Sequence, residues 1–299
     1  MLPNFLIIGA QKSASTFLQV CLNDHPEIYL PTGEIPFFES PDYEDNNLSE
    51  LEKLFENRNE KCLGIKRPNY LGKPEVPKRI ESDLPNAKLI VVLRNPIDRA
   101  ISAYYHNIKY GFIPPIDVEV GMRKIINKTS FSQQFQRSPE ILEFGYYNKY
   151  LTLYKYFFKN DQILIFLHED ILSNPLESVK TAYRFLDISS DFIPESLYSR
   201  PQNVTYNLKR LKFMTLRNRF MFDYNLDHTR VSVKNKNIID NLGAGIITML
   251  DKKILAKFLD NSKPKVSLEL RQLLYKKYSN DINSLEGLIG RDLSTWKLT

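Results

Sequence analysis

Residues 5–18 read FLIIGAQKSASTFL: a short apolar run, a loop of glycine, small and hydroxyl residues with one lysine, then the start of a helical pattern. A strand that passes through such a loop into a helix gathers backbone N–H groups, the positive end of the helix dipole and a lysine around one point. That point binds anions, phosphate above all. The loop departs from the nucleotide-triphosphatase pattern G-x-x-x-x-G-K-[ST]. Gly9 is followed at that spacing by Ala14, Ser15 and Thr16, so the final hydroxyl is kept, the second glycine is lost and the lysine has moved forward to Lys12. The expectation is a phosphate cradle built for something other than a triphosphate–magnesium complex.

A second segment sharpens this. Residues 88–94, KLIVVLR, form a continuous apolar run suited to a strand buried in a parallel sheet. In triphosphatases the comparable strand often ends in an aspartate that helps to hold magnesium. This one ends in Arg94, followed by Asn95-Pro96, and Pro96 stands where a helix over 97–109 can begin. Ser102 lies eight residues beyond Arg94, about one and a half turns into that helix, within reach of the strand end. An arginine fork and a serine hydroxyl make a second phosphate site, neutralised by protein cations. An ion pair of Arg94 with Asp98 or Glu119 is the competing reading.

Elsewhere strands and helices alternate, which argues for a parallel sheet covered by helices on its faces. Strands are expected at about 4–9, 62–66, 88–94 and 162–170, and helices at about 14–24, 48–57, 97–109, 175–188 and 267–289. His25-Pro26 ends the first helix, and residues 31–47 read as an acidic, proline-rich loop. Residues 116–150 read as mostly helical, and the aromatic stripe FGYYNKYLTLYKYFF reads as core. Residues 190–265 have no clean pattern and are rich in Lys, Arg and Asn. There is no internal repeat and no low-complexity linker, so 1–299 is expected to be a single domain.

A chain of 299 residues can bury a full core in one domain. A net charge of +6 suits an anionic cofactor, but no nucleic-acid recognition motif accompanies it. Two cysteines, Cys21 and Cys62, give no basis for a disulfide framework and fit a reducing compartment. No apolar run is long enough to span a membrane, and the first strand starts almost at Met1 with no leader pattern, which predicts a cytoplasmic protein. Nothing in the sequence specifies an oligomeric state.

Two phosphate sites on one α/β sheet, without a magnesium carboxylate, resemble the sulfotransferases that use 3′-phosphoadenosine 5′-phosphosulfate (PAPS). GAQKSAST resembles their 5′-phosphosulfate loop, with Lys12 as the loop lysine and Ser13, Ala14, Ser15, Thr16 and Phe17 cradling the 5′-phosphate. LRNPIDRAISAYY resembles their 3′-phosphate motif, with Arg94 and Ser102 as ligands. TGEIPFF (32–38) is similar to the acidic segment of the carbohydrate-type (heparan sulfate sulfotransferase-like) branch, and this makes Glu34 the counterpart of its catalytic base. GIKRPNYL (64–71) is similar to the next strand and loop, where that branch often reads K-T-P-x-Y; Lys66 matches the lysine and Arg67 departs from the threonine. LEGLIGRDLSTW (285–296) is similar to endings of bacterial members. The resemblance implies a P-loop-like three-layer α/β sandwich with a central parallel sheet of about four to five strands flanked by helices. It also implies PAPS as cofactor and PAP as product, no required metal, and a glycan or small natural product as acceptor. Residues 110–145 and 200–265 are the expected acceptor-facing insertions.

On this reading Glu34 takes the acceptor's proton, with the apolar neighbours Ile35-Pro36-Phe37-Phe38 raising its basicity. Lys12 and Lys66 stabilise the charge on the bridging oxygen. The small-molecule branch uses a histidine that would fall between Leu30 and Arg94, where this chain has none; His106 reads as structural. Tyr183 could reach an adenine but fits the core better. Two other classes compete: a P-loop small-molecule kinase, which ATP–Mg dependence would reveal, and a non-catalytic glycan-binding module, which would ignore PAP.

Overall fold

The computed structural model describes residues 1–45, 47–198, 205–234 and 238–297. β1 (Phe5–Gly9) is buried throughout, and its side chains alternate between two faces. Leu6 and Ile8 enter one core cluster, and Phe5 and Ile7 the other, as a two-residue period requires. α1 (Ser15–Asn23) follows. β2 (Ile28–Tyr29), too short to leave a pattern in the sequence, pairs with β3 (Cys62–Lys66), and α2 (Ser49–Lys53) lies between them in the chain. α3 (Val76–Asp83) leads to β4 (Lys88–Leu93). α4 (Pro96–Lys109) opens with Pro96 in its first turn, and the Asn95 side chain accepts from the Ile97 N–H.

α5 (Val118–Ile126), α6 (Ser130–Gln134), α7 (Glu140–Glu143) and α8 (Tyr147–Phe157) precede β5 (Ile163–Leu167). The strand expected over 162–170 stops at Leu167. There the Asp170 carboxylate accepts from the Leu167 N–H at 2.9 Å, and α9 (His168–Ser173) begins. α10 (Pro175–Phe185) and α11 (Leu208–Met221) follow. The stretch 190–265 then holds an antiparallel pair, β6 (Phe222–Tyr224) with β7 (Val231–Val233). It also holds α12 (Ile238–Leu250), a π-helical turn at Asp251–Leu255 and the short α13 (Ala256–Phe258). Residues 199–204 and 235–237 of it lie outside the described residues. α14 (Leu268–Ile289) is the long terminal helix the pattern predicts.

Five parallel strands form the main sheet in the order β2-β3-β1-β4-β5. One face is covered by α1 and α10 through Leu18, Leu22, Val179 and Tyr183. The other is covered by α3, α4, α5, α8 and α14 through such residues as Ile80, Ile101, Met122, Leu151 and Leu274. This is the three-layer sandwich expected. The aromatic stripe of α8 is core: Tyr147, Tyr150 and Tyr154 are buried, and the Tyr154 hydroxyl donates to the Tyr70 carbonyl at 2.9 Å. Tyr183 is fully buried and donates to the Cys21 carbonyl. Among the described residues no helix is long and apolar enough to cross a membrane.

The strand order matters for function. β1 has β3 on one side and β4 on the other, so the chain reverses direction across the sheet beside β1. Ligands of open α/β sheets bind at such a reversal, beyond the carboxyl ends of the strands. Here those ends lead to Lys12, Lys66 and Arg94.

Candidate active site

A cleft of about 1270 Å³ opens at these strand ends. Its lining carries seven Lys or Arg and three Glu side chains. All of the residues expected to bind phosphate, from Lys12 to Phe17 together with Arg94 and Ser102, lie on it, as does Glu34.

The phosphate loop leaves β1 at Gly9, where a Cβ would stand 2.6 Å from Leu71 Cβ and 3.2 Å from the Pro68 carbonyl oxygen. Only glycine lets the β3 loop approach so closely. The backbone is left-handed at Lys12 (φ 68°) and at Ala14 (φ 71°), a region that side-chain-bearing residues rarely occupy. Ala14 stands where the triphosphatase pattern has its second glycine, so the glycine's conformation persists without the glycine. No side chain caps α1, which leaves its first N–H groups without a side-chain acceptor. Ser13 Oγ is buried and makes no well-formed hydrogen bond among the described residues, although the Tyr147 hydroxyl lies near. Burial, then Lys109 and Arg94, lower the Lys12 ammonium to about 8, against a smaller opposing pull from Glu34.

Arg94 donates from Nη1 to the Lys12 carbonyl at 3.0 Å, which ties the β4 end to the phosphate loop. Its own carbonyl accepts from the Tyr147 hydroxyl at 2.9 Å. Arg94 makes no ion pair among the described residues. Asp98 is taken by Lys263 and Arg271, each at 3.0 Å, and Glu119 pairs with Arg123. The ion pair with Asp98 or Glu119 that competed as a reading of Arg94 is not formed among the described residues. Ser102 is 1% exposed, and its Oγ has no well-formed hydrogen bond, although the Tyr206 hydroxyl lies near. A buried hydroxyl without a partner on a cleft wall is costly unless a ligand completes it.

Glu34 is placed by its backbone. The Ile35 N–H donates to the Lys66 carbonyl at 3.0 Å, and the Tyr70 hydroxyl donates to the Ile35 carbonyl at 2.5 Å. The Gln19 side chain of α1 donates to the Pro31 carbonyl at 3.1 Å. Its surroundings differ from the apolar ones its sequence neighbours suggest, because Phe37 and Phe38 are buried in the core while the carboxylate faces cations. Arg67 Nη1 donates to Glu34 Oε2 at 2.8 Å, and Lys66 Nζ lies 4.0 Å from Oε1; the side chain is 39% exposed. Lys66 itself is buried and donates to Thr16 Oγ1 at 3.1 Å, so it joins the phosphate loop to the carboxylate. Burial lowers its ammonium, with Glu34 opposing. Arg67, the departure from the family pattern, also donates from Nε to Glu39 Oε1 at 2.8 Å and forks two carboxylates at once.

The cleft also holds residues given no role in the sequence reading, Lys109 among them. His106, read there as structural, lines the cleft, and no hydrogen bond to its ring nitrogens forms among the described residues. Burial, then the fields of Lys12, Lys109, Arg137 and Arg67, hold it well below its usual 6.5, so it is neutral at neutral pH. His168 is likewise lowered, to about 4, by burial and Arg94. The signal for His106 and Lys109 was available: with Ser102 they fall at i, i+4 and i+7 on one face of α4. Further out, Glu140 pairs with Lys73 at 2.7 Å and with Arg137 at 3.0 Å.

The sequence profile of the family described as "Sulfotransferase domain" matches residues 2–244. A curated relative, bifunctional heparan sulfate N-deacetylase/N-sulfotransferase 2 of Homo sapiens, is 31% identical over 198 residues, 63% of this chain and 22% of the relative. Membrane-associated sulfotransferase kil1 of Dictyostelium discoideum is 39% identical over 114 residues, 36% of this chain and 24% of the relative. The chain thus spans about a quarter or less of the length of these relatives. The crystal structure of a sulfotransferase from Alicyclobacillus acidocaldarius superposes with a TM-score of 0.70 over 99% of both chains at 22% identity, a likeness of fold. With the profile covering most of its length, this chain is a member of the sulfotransferase domain family.

Proposed function

We propose that the protein transfers a sulfuryl group from PAPS to an acceptor hydroxyl on a glycan or small natural product. The observation that carries this is the convergence, at three adjacent strand ends, of Lys12, Lys66 and Arg94 with the uncapped α1 N-terminus and the buried Ser102 Oγ, which has no well-formed hydrogen bond. These groups are the donors that a nucleotide with 5′- and 3′-phosphates needs, so the residues present fit it.

When bound, the cofactor supplies the sulfuryl group and departs as PAP. Ser13 to Phe17 would receive the 5′-phosphate, and Arg94 and Ser102 would hold the 3′-phosphate. Lys12 and Lys66 would set positive charge beside the leaving oxygen. Glu34, tied at Oε2 by Arg67, presents Oε1 toward Lys66 and would take the proton of the acceptor hydroxyl. Lys66 touches both sides of this reaction, because it contacts Thr16 of the phosphate loop and faces Glu34. The whole chain acts as one sulfotransferase domain. Its α5–α7 region and its β6–β7 region face the acceptor, and Arg137 and Arg230 on the cleft wall support that assignment. Two buried free thiols favour a cytoplasmic setting.

The test is the melting temperature with PAP in the absence of magnesium, with ATP–Mg as control. A ligand at a hundred times its Kd stabilises by about 2.7 kcal/mol. A shift with PAP, followed by sulfuryl transfer from PAPS to a panel of alcohols and amines, is the expected result. A shift with ATP–Mg alone overturns the reading.

A further inference from the structure

The helices α11 to α13 are built unlike the rest of the surface. α12 carries apolar side chains on both sides. Its inner face, at Asp240, Ala244 and Ile247, is buried against the protein, as is Asp251 just beyond its end. Its outer face places Leu242, Ile246 and Met249 at spacings of four and three, and these are 60%, 54% and 49% exposed. A surface helix ordinarily turns its apolar stripe to the core and polar side chains outward. The π turn at Asp251–Leu255 then adds a residue to the winding. Its wider i→i+5 repeat brings Ile254 back toward the face of Met249. Phe258, one turn on, is 81% exposed.

The charges follow the same division. α11 has no acidic residue. The two acids of 238–258 point inward: Asp251 is bound by Arg210 at 2.8 Å and Asp240 lies 3.9 Å from Lys234. Exposed on α11 are Lys209, Lys212 and Arg219; exposed after α12 are Lys252, Lys253 and Lys257. None of these six has a carboxylate partner among the described residues. The outside of this helix pair therefore offers an apolar stripe flanked by cations, with every carboxylate of α11–α13 turned in.

We propose that this face docks on the surface of an anionic lipid bilayer, with the α12 stripe in the interface and the lysines at the headgroups. Apolar side chains beside unpaired lysines are what interfacial helices present to acidic lipids. A soluble polyanion would use the lysines and leave the stripe uncovered. A second copy would bring the same cations face to face, which is repulsive.

The experiment is co-sedimentation of the full chain with phosphatidylcholine vesicles, with and without phosphatidylserine. Two variants accompany it, Ile246→Ser/Phe258→Ser and Lys252→Gln/Lys253→Gln/Lys257→Gln. All five side chains are exposed, and an unchanged melting temperature checks the fold. The bound fraction is expected to be more than about tenfold higher on phosphatidylserine vesicles, and each variant should lower it at least about fivefold. Equal or absent binding to the two wild-type vesicle samples refutes the proposal without reference to any variant. Anionic-vesicle binding that survives loss of Ile246 and Phe258 and is displaced by heparin overturns it in favour of a soluble polyanion. A wild-type dimer in sedimentation velocity that Ile246→Ser/Phe258→Ser dissociates overturns it in favour of self-association. No outcome depends on sulfuryl transfer, so the docking and the catalytic reading fail separately.

Discussion

Lys12 makes the affinity for PAP depend on pH, in a direction and by an amount the structure specifies. Its ammonium is lowered from 10.5 to about 8 by burial, Lys109 and Arg94. The native state therefore gives up this proton earlier than the unfolded chain. Below pH 8 both states carry it and the native state bears the full cost of a crowded charge; from pH 8 to 10.5 the unfolded state binds more protons, so stability from this group rises with pH. The difference, 10.5 − 8 = 2.5 units, corresponds to about 3 kcal/mol of cost held in the free protein. A phosphate in the loop reverses the balance and draws the proton back. Binding then requires charged Lys12, and the apparent affinity falls as 1/(1 + 10^(pH−8)). Between pH 7 and pH 9 the fall is about tenfold, or about 1.4 kcal/mol. Lys66 and Lys109 are also lowered and add to the fall at higher pH. Isothermal titration of PAP at pH 7, 8 and 9 measures this, and buffers of different ionisation enthalpy report the proton taken up. Lys12→Gln should bind more weakly at pH 7 and flatten the profile. An affinity constant within twofold from pH 7 to 9, or a wild-type slope in Lys12→Gln, refutes the assignment of the loop lysine.

Glu34→Gln should lower kcat by about 10²–10⁴-fold while PAP titrates as in the wild type; turnover near the wild-type rate removes Glu34 as base. Arg94→Ala should weaken PAP by about 1.5–3 kcal/mol and Ser102→Ala by about 1 kcal/mol in the same titration, because the first loses a charged donor and the second a neutral one. Arg67→Ala strands the largely buried Glu39 carboxylate and should cost about 3 kcal/mol, a fall in Tm of about 5 °C. Adding Glu39→Gln should restore at least about half of that loss. Ala14→Gly relieves a left-handed alanine and should raise Tm by about 2 °C, seen in a thermal melt without ligand.

The donor half of the site was legible because its chemistry is local. A strand, a loop of small residues and a helix start determine where Lys12 and Ser13–Phe17 go, and β4 with its helix does the same for Arg94 and Ser102. Buried strands of five or six residues carry a strong apolar signal, so β1, β3 and β4 fell within a residue or two of their expected bounds. What stayed hidden depends on contacts across long separations. β2 has two residues and exists by pairing with β3. The β6–β7 pair is anchored by Tyr224, whose hydroxyl donates to the Tyr110 carbonyl 114 residues away. The environment of Glu34 was misread for the same reason: Ile35 to Phe38 describe its chain neighbours, whereas Arg67, 33 residues on, decides its contacts.

The two ends of the cleft solve their electrostatics differently. At the phosphate end Lys12, Arg94 and Lys109 have no carboxylate partner among the described residues, while Lys109 and Arg94 act on Lys12 to lower it. Their mutual repulsion is held by the sheet, since β1 is buried and paired in parallel with β3 and β4 just below, with a register shift against β4 between Ile7 and Gly9. Folding thus assembles the charges in advance, and a polyanionic ligand spends little of its binding free energy on bringing them together. At the other end three of the cations have counter-charges, Arg67 with Glu34 and Glu39 and Lys73 and Arg137 with Glu140, while Arg230 forms no ion pair among the described residues. An anion arriving there would have to displace a carboxylate already in place, whereas a neutral hydroxyl group can approach Glu34 with the ion pairs intact. The cleft therefore has one end with unpaired cations and one where most cations are paired. On the proposed function the first would take the donor and the second the acceptor, which would keep two substrates in separate places.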